Sequence, residues 1–122
     1  LDTFAAEQQL SYELIQPALT LLRFFDADVT GRDFAQGKPH PEIFLTAAHE
    51  LGIDPAACFV VEDATSGVQA AKAGNMAALG VARLHDEQLL AAAGADLVVT
   101  TLDTVDLAAL AQGRLEQRSV RA

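Results

Sequence analysis

The stretch Cys58-Phe59-Val60-Val61-Glu62-Asp63-Ala64-Thr65-Ser66-Gly67 constrains the fold of this chain more than any other. Its apolar run has no polar alternate face, so as a strand it calls for burial on both sides, as in a parallel sheet between helices. The run stops at two adjacent acids, and the small residues beyond them read as a helix over about 65–74. In open parallel sheets, ligands bind outside the carboxyl ends of strands, where strand gives way to helix. Glu62 and Asp63 stand at such an end.

The rest of the chain keeps the same rhythm. Residues 1–25 read as helical, with Phe4, Leu10, Leu14, Ile15, Leu19, Leu22 and Phe25 at loose three-to-four spacing and Pro17 dividing the segment. Residues 27–30 are a short strand candidate running into a Gly31-Arg32-Asp33 turn. Pro41 suits the first turn of a helix whose apolar face is Ile43, Phe44, Ala47, Ala48 and Leu51, stopped by Gly52 and followed by an Asp54-Pro55 turn. After the strand at 58–62 and its helix come an apolar run at 76–81, a short helix at 87–93 ended by Gly94, a strand at 96–100 and a helix at 105–110. Residues 112–122, with Arg114, Arg118 and Arg121, read as a frayed tail. Alternation of this kind specifies α/β with a parallel sheet. The strand at 58–62 reads as central and needs a neighbour on each side, which these four strand candidates do not guarantee.

Composition closes off several function classes. With 122 residues the chain is at most one domain, and 51% hydrophobic content excludes disorder as its main state. Seventeen acids against eight Lys and Arg give a formal charge of −9, which argues against nucleic acid as partner. Cys58 is the sole cysteine, so an internal disulfide is excluded; a reducing, cytoplasmic home and a packing role for this thiol are expected. No apolar run approaches membrane-spanning length, and no membrane partner is expected. The chain begins at Leu1 instead of methionine, which suggests that an N-terminal part is missing.

Adjacent carboxylates at a strand end suit a hard cation such as Mg²⁺. Successive strand side chains point to opposite faces, so Asp63, nearer the loop, is favoured as the direct ligand, with Glu62 beside it or acting through water. The competing reading makes Asp63 a cap for the next helix, in whose first turn Thr65 and Ser66 are ordinary residues. Lys38 is one of two lysines and lies between Gly37 and Pro39. Beside a carboxylate pair it can neutralise a phosphoryl group; the alternative is a solvated loop lysine. The histidines do not cluster: His40 lies in the lysine loop, His49 on a helix and His85 in a loop. Arg32 and Arg83 read as solvated-loop residues.

Taken together, Gly37-Lys38-Pro39-His40-Pro41-Glu42-Ile43-Phe44-Leu45, Leu51-Gly52, and the run from Val60 through Glu62-Asp63 to Gly74 resemble the second half of a haloacid dehalogenase superfamily hydrolase. The β-phosphoglucomutase-like branch, which includes sugar-phosphate phosphatases, is the most similar, and Gly94-Ala95-Asp96-Leu97-Val98-Val99 looks like its closing strand. Motif order and the 24-position separation of Lys38 and Glu62 both agree. The resemblance implies a Rossmann-like, three-layer α/β core and Mg²⁺-dependent phosphoryl transfer from a small phosphorylated metabolite through an aspartyl-phosphate. It makes Lys38 the lysine that steadies nucleophile and phosphoryl charge, Asp63 the acidic metal ligand and Glu62 its companion.

Three family features are missing, one of them the Ser/Thr phosphate-binding motif that belongs between the nucleophile and the lysine. The nucleophile motif, Asp-x-Asp-x-Thr at a strand end, belongs well before Lys38. Its only lookalike, Asp26-Ala27-Asp28-Val29-Thr30, lies 12 positions ahead of that lysine. That is too short for a parallel crossover plus a second strand, and we read the lookalike as a decoy. The helical cap domain that selects substrate is also absent. The expectation is therefore a core lacking its nucleophile strand, inactive by itself, within a phosphatase or phosphomutase. Alternatives are a non-catalytic α/β binding module and a receiver-like phosphoacceptor domain, although receivers place the acid pair before the lysine.

Overall fold

A computed structural model of the chain describes residues 23–119. Helix α1 (Glu42–Leu51) leads, through a 3₁₀ turn at Pro55–Ala57, into strand β1 (Phe59–Glu62). Helix α2 (Thr65–Ala73), strand β2 (Ala77–Val81), helix α3 (Glu87–Ala92) and strand β3 (Leu97–Val99) follow. A second 3₁₀ turn at Leu102–Thr104 precedes the closing helix α4 (Leu107–Ala111). Local chemistry accounts for several of the breaks. Gly52 adopts φ 68°, the left-handed conformation that suits glycine, and its N–H bonds back to the last turn of α1. Asp54 accepts from the Ala56 N–H, and Asp106 accepts from the Ala109 N–H, each satisfying an orphan donor at a turn or helix start.

The three strands are parallel in the order β1-β2-β3. Val60 lies beside Ala78, Glu62 beside Gly80, and Gly80 in turn beside Val98. This register assigns Val60, Ala78, Gly80 and Val98 to one face of the sheet and Phe59, Val61, Leu79, Val81 and Val99 to the other. On the first face, Val68 and Ala71 of α2, Met76 and Leu90 of α3 close a dry core around Val60 and Ala78. On the second, Val105 and Leu115 cover Leu79 and Val99. Among the described residues this is the predicted α/β architecture with a parallel sheet and helices. No helix among them is long and apolar enough to cross a membrane.

Four expectations need correction. Strand β1 is not central among the described residues: β2 is, and β1 has one free edge. Nor is it buried on both sides. Val61 is 50% exposed and Phe59 36%, because nothing described packs over their face beyond β2. Residues 27–30 form no strand. There Asp28 accepts hydrogen bonds from the Thr30 amide and hydroxyl, and Arg32 donates to the Asp28 carbonyl. These local bonds satisfy groups a ladder would otherwise use. Finally, the tail does not fray as far as residue 118. Gln117 bridges Val105, the Asp106 N–H donates to the Glu116 carbonyl at 2.9 Å, and the Arg118 N–H to the Thr104 carbonyl at 2.7 Å. Leu115 anchors this return by packing on the second core. The helix read over residues 1–25 lies outside the described residues as far as residue 22, and 23–25 are not helical.

Candidate active site

Lys38 and Glu62, far apart in the chain, meet at the carboxyl end of β1 with Nζ 2.7 Å from Oε2. Each is held from its own side. The Lys38 loop is a tight turn in which the His40 N–H donates to the Gly37 carbonyl, and the Lys38–Pro39 peptide bond is cis. His40 Nδ1 then accepts from the Glu42 N–H, satisfying a first-turn donor that the N-cap residue Pro41 leaves unmet. The Glu42 carboxylate reaches back to the amides of Ala35 and Gln36 and ties down the chain that leads into the lysine. The Lys38 ammonium also lies 5.1 Å from the centroid of the Phe44 ring, a favourable cation–π position.

Glu62 is the more enclosed partner, with a side chain only 11% exposed against 35% for Lys38. It lies on the α2 face of the sheet, and its path crosses Gly67 in the first turn of that helix. A Cβ at Gly67 would collide with Glu62 Cγ, Cδ and Oε2. Gly67 is therefore part of the site, by leaving room. With Oε2 on Lys38, Glu62 turns Oε1 to the backbone N–H of Asp63 at 3.3 Å. Each oxygen accepts one hydrogen bond, so Glu62 orients the lysine and the following residue.

Asp63 is not the helix cap. The N-cap of α2 is Ala64, with no side-chain cap bond. The Asp63 carboxylate, half exposed, instead faces Arg83 in the loop after β2, with Oδ2 to Nη1 at 3.3 Å. Arg83, read from sequence as a solvated-loop residue, is thus brought against the site. Arg32 pairs with Glu50 at 2.6 Å and takes no part. The alternative of a plain solvated lysine is set aside by the Lys38–Glu62 pair.

These residues answer in part the question of a cation. Among the described residues, no group of three or more His, Cys, Asp or Glu side chains could hold a metal ion. Mg²⁺, however, keeps several waters and commonly takes only one or two carboxylates together with substrate phosphate. One outward, half-exposed carboxylate at a strand end fits that requirement; Asp63 is the residue that meets it. Asp28, in the lookalike motif, keeps one carboxylate oxygen on the Thr30 amide and hydroxyl. Hydrogen bonds from the Thr30 side chain and then its amide keep the Asp28 pKa below 3.8.

A second carboxylate works in the scaffold. Asp96 accepts from the Ala78 N–H at 2.7 Å and from Lys72 Nζ at 2.9 Å, linking α2, β2 and the start of β3. Partial burial pushes its pKa up, but the two hydrogen bonds together outweigh burial and hold it below 3.8.

Of the residues selected from sequence, Lys38, Glu62 and Asp63 therefore come together, and the histidines do not join them as ligands. Sequence reasoning missed Gly67, Glu42 and Arg83. Gly67 carried a readable signal, as a helix-disfavouring glycine in a first turn directly after the acid pair. Glu42 and Arg83 carried none.

A family model described as haloacid dehalogenase-like hydrolase matches residues 5–75, more than half of the chain. The chain is 44% identical over 81 residues to β-phosphoglucomutase of Bacillus subtilis (strain 168), covering 66% of this chain and 34% of that protein. It is 41% identical over 69 residues to a fructose-1-phosphate phosphatase of Escherichia coli (strain K12), covering 57% of this chain and 37% of that one. The crystal structure of β-phosphoglucomutase from Clostridium difficile superposes with a TM-score of 0.55 at 31% identity, over 66% of this chain and 34% of that one. The chain spans about a third of the length of these relatives. With more than half of its residues matched by the family model and its lysine and acid pair joined at a parallel strand end, this chain belongs to the haloacid dehalogenase-like hydrolases.

Proposed function

We propose that this chain carries the lysine-and-acid part of a Mg²⁺-dependent phosphoryl-transfer site. In the whole protein that site acts on a small phosphorylated metabolite of the sugar-phosphate class, through an aspartyl-phosphate. The observation that carries this reading is the 2.7 Å Lys38–Glu62 pair, with Asp63 turned outward beside it at the end of β1. Phosphoryl transfer asks a protein mainly for positioning and for neutralisation of spread negative charge. Lys38 meets that need: one N–H is spent on Glu62, and an ammonium has two more to offer to phosphoryl oxygens. Bound Mg²⁺ would add positive charge at the phosphate, held on the protein side by Asp63. The names of the relatives, a phosphomutase and a sugar-phosphate phosphatase, support the substrate class. Half-buried Cys58, free of any disulfide, suits the reducing cytoplasm.

No nucleophilic Asp stands beside Lys38 among the described residues, and this reading assigns it to a strand outside them. Room exists for one. The free edge of β1 borders an apolar groove of about 410 Å³ lined by Phe44, Leu51, Ile53, Phe59 and Val61. A parallel strand seated there would end next to Lys38. The chain by itself is then inactive.

The test is a phosphate-release and mutase assay of the whole protein on a panel of sugar monophosphates with Mg²⁺. We expect turnover that falls roughly 10²–10³-fold in Lys38→Ala, the loss typical of a charge-stabilising donor, and that needs Asp63. Turnover by the 122-residue chain alone, or a whole protein indifferent to Lys38→Ala, would overturn the proposal.

A further inference from the structure

Arg83 is the basic side chain that the fold brings against Asp63, and the activity proposed above makes no use of it. It follows β2 directly, at the same carboxyl edge of the sheet from which Asp63 leaves β1. The pair is open: Arg83 is 71% exposed and Asp63 51%, with a single 3.3 Å contact instead of a two-pronged one. An exposed, singly bonded ion pair is weak and easily exchanged. The two residues also border a cavity of about 290 Å³, completed by Leu84 and Asp86. Asp86 spends one oxygen on the Leu84 N–H at 3.3 Å, which shapes this loop, and offers a second carboxylate on the same cavity.

We infer that Arg83 is a resident counter-ion of Asp63, which a divalent cation must displace, and that it thereby sets how tightly the protein holds its metal. The inference rests on the reading of Asp63 as a cation ligand. Without a cation, Arg83 neutralises an otherwise unpaired carboxylate at the site. A cation on Asp63 competes with Arg83 for Oδ2 and meets repulsion from the same guanidinium at either oxygen. Because the pair is exposed, displacement costs little; the cavity gives the released side chain room, with Asp86 lining it. Arg83 is a positioning and tuning residue here, not a catalytic one.

The experiment is calorimetric titration of the whole protein with Mg²⁺ alone, in the absence of substrate, for wild type, Arg83→Gln, Arg83→Lys and Asp63→Asn. Arg83→Gln removes the competing charge and should tighten Mg²⁺ binding by about two- to fivefold, the worth of an exposed ion pair. That gain should shrink as added salt screens the charge. Arg83→Lys keeps the charge and should stay within about twofold of wild type. Unchanged or weaker binding in Arg83→Gln, or a gain in Arg83→Lys equal to that in Arg83→Gln, overturns the inference while leaving the role of Asp63 standing. Mg²⁺ binding that survives Asp63→Asn removes the underlying reading of the site, and the inference with it.

Discussion

Gly67 is the residue on which the site depends most closely while carrying no chemistry. Its missing Cβ is the space through which Glu62 reaches Lys38. Gly67→Ala must push Glu62 aside or shift the first turn of α2, and overpacking of this kind costs about 1–3 kcal/mol. We expect a lower midpoint in chemical denaturation of the whole protein, together with a loss of activity approaching that of Lys38→Ala. An alanine variant as stable and active as wild type would show that Glu62 has another path. Glu62→Gln tests the pair itself. It keeps the shape and removes the charge, so Lys38 loses its partner while the fold stays. The expected outcome is reduced turnover with an unchanged circular dichroism spectrum, and wild-type turnover would contradict the role given to Glu62.

At the scale of elements, Asp96 joins α2, β2 and β3 at one point, by its bonds to Lys72 and the Ala78 N–H. Its pKa is lowered in the fold, so the folded state binds a proton less readily than the unfolded chain does. The stabilisation is therefore present above the ordinary value of 3.8 and is lost as pH falls through the folded value. With the side chain 42% exposed, solvent screening limits the effect to at most about 1 kcal/mol. Asp96→Asn should be less stable than wild type near pH 6, and the gap should close below the carboxylate range. Urea denaturation at both pH values measures it; a gap that persists in acid would assign the loss to packing. The close seat of α3 on the sheet has the same local character, since a Cβ at Gly80 would lie 3.3 Å from Leu90.

At the scale of the whole molecule, the dominant feature among the described residues is the free edge and bare face of β1. An unpaired strand edge with exposed Phe59 and Val61 invites pairing with another chain. The isolated 122-residue chain is expected to self-associate in analytical ultracentrifugation, and Val61→Lys to shift it toward monomer. A wild-type chain that stays monomeric at high concentration would show the edge to be covered.

Much of this was legible before any coordinates. Strand and helix identities from α1 onward came through because periodicity and breakers such as Gly52 and Gly94 act within a few residues of themselves. Lys38, Glu62 and Asp63, which the structure brings together, were legible by type and order. The second neighbour that β1 calls for does not stand among the described residues: apolar composition records what a strand is suited to, not which neighbours stand beside it. The frayed tail was misread for a related reason. Leu115 and Gln117 look unremarkable in sequence and become anchors only against Leu79, Val99 and Val105.

By itself, then, the sequence determined the α/β class, the order of the elements, and the residue types gathered at the end of β1, since each depends on local spacing and local backbone preference. Only the tertiary structure decided that Glu62 holds Lys38, that Gly67 makes way for it, that Asp63 faces Arg83 instead of capping α2, and that β1 lies at an edge among the described residues. Those are contacts between residues distant in the chain. Strand register and helix packing set them to within a fraction of an ångström, and no local pattern encodes that geometry.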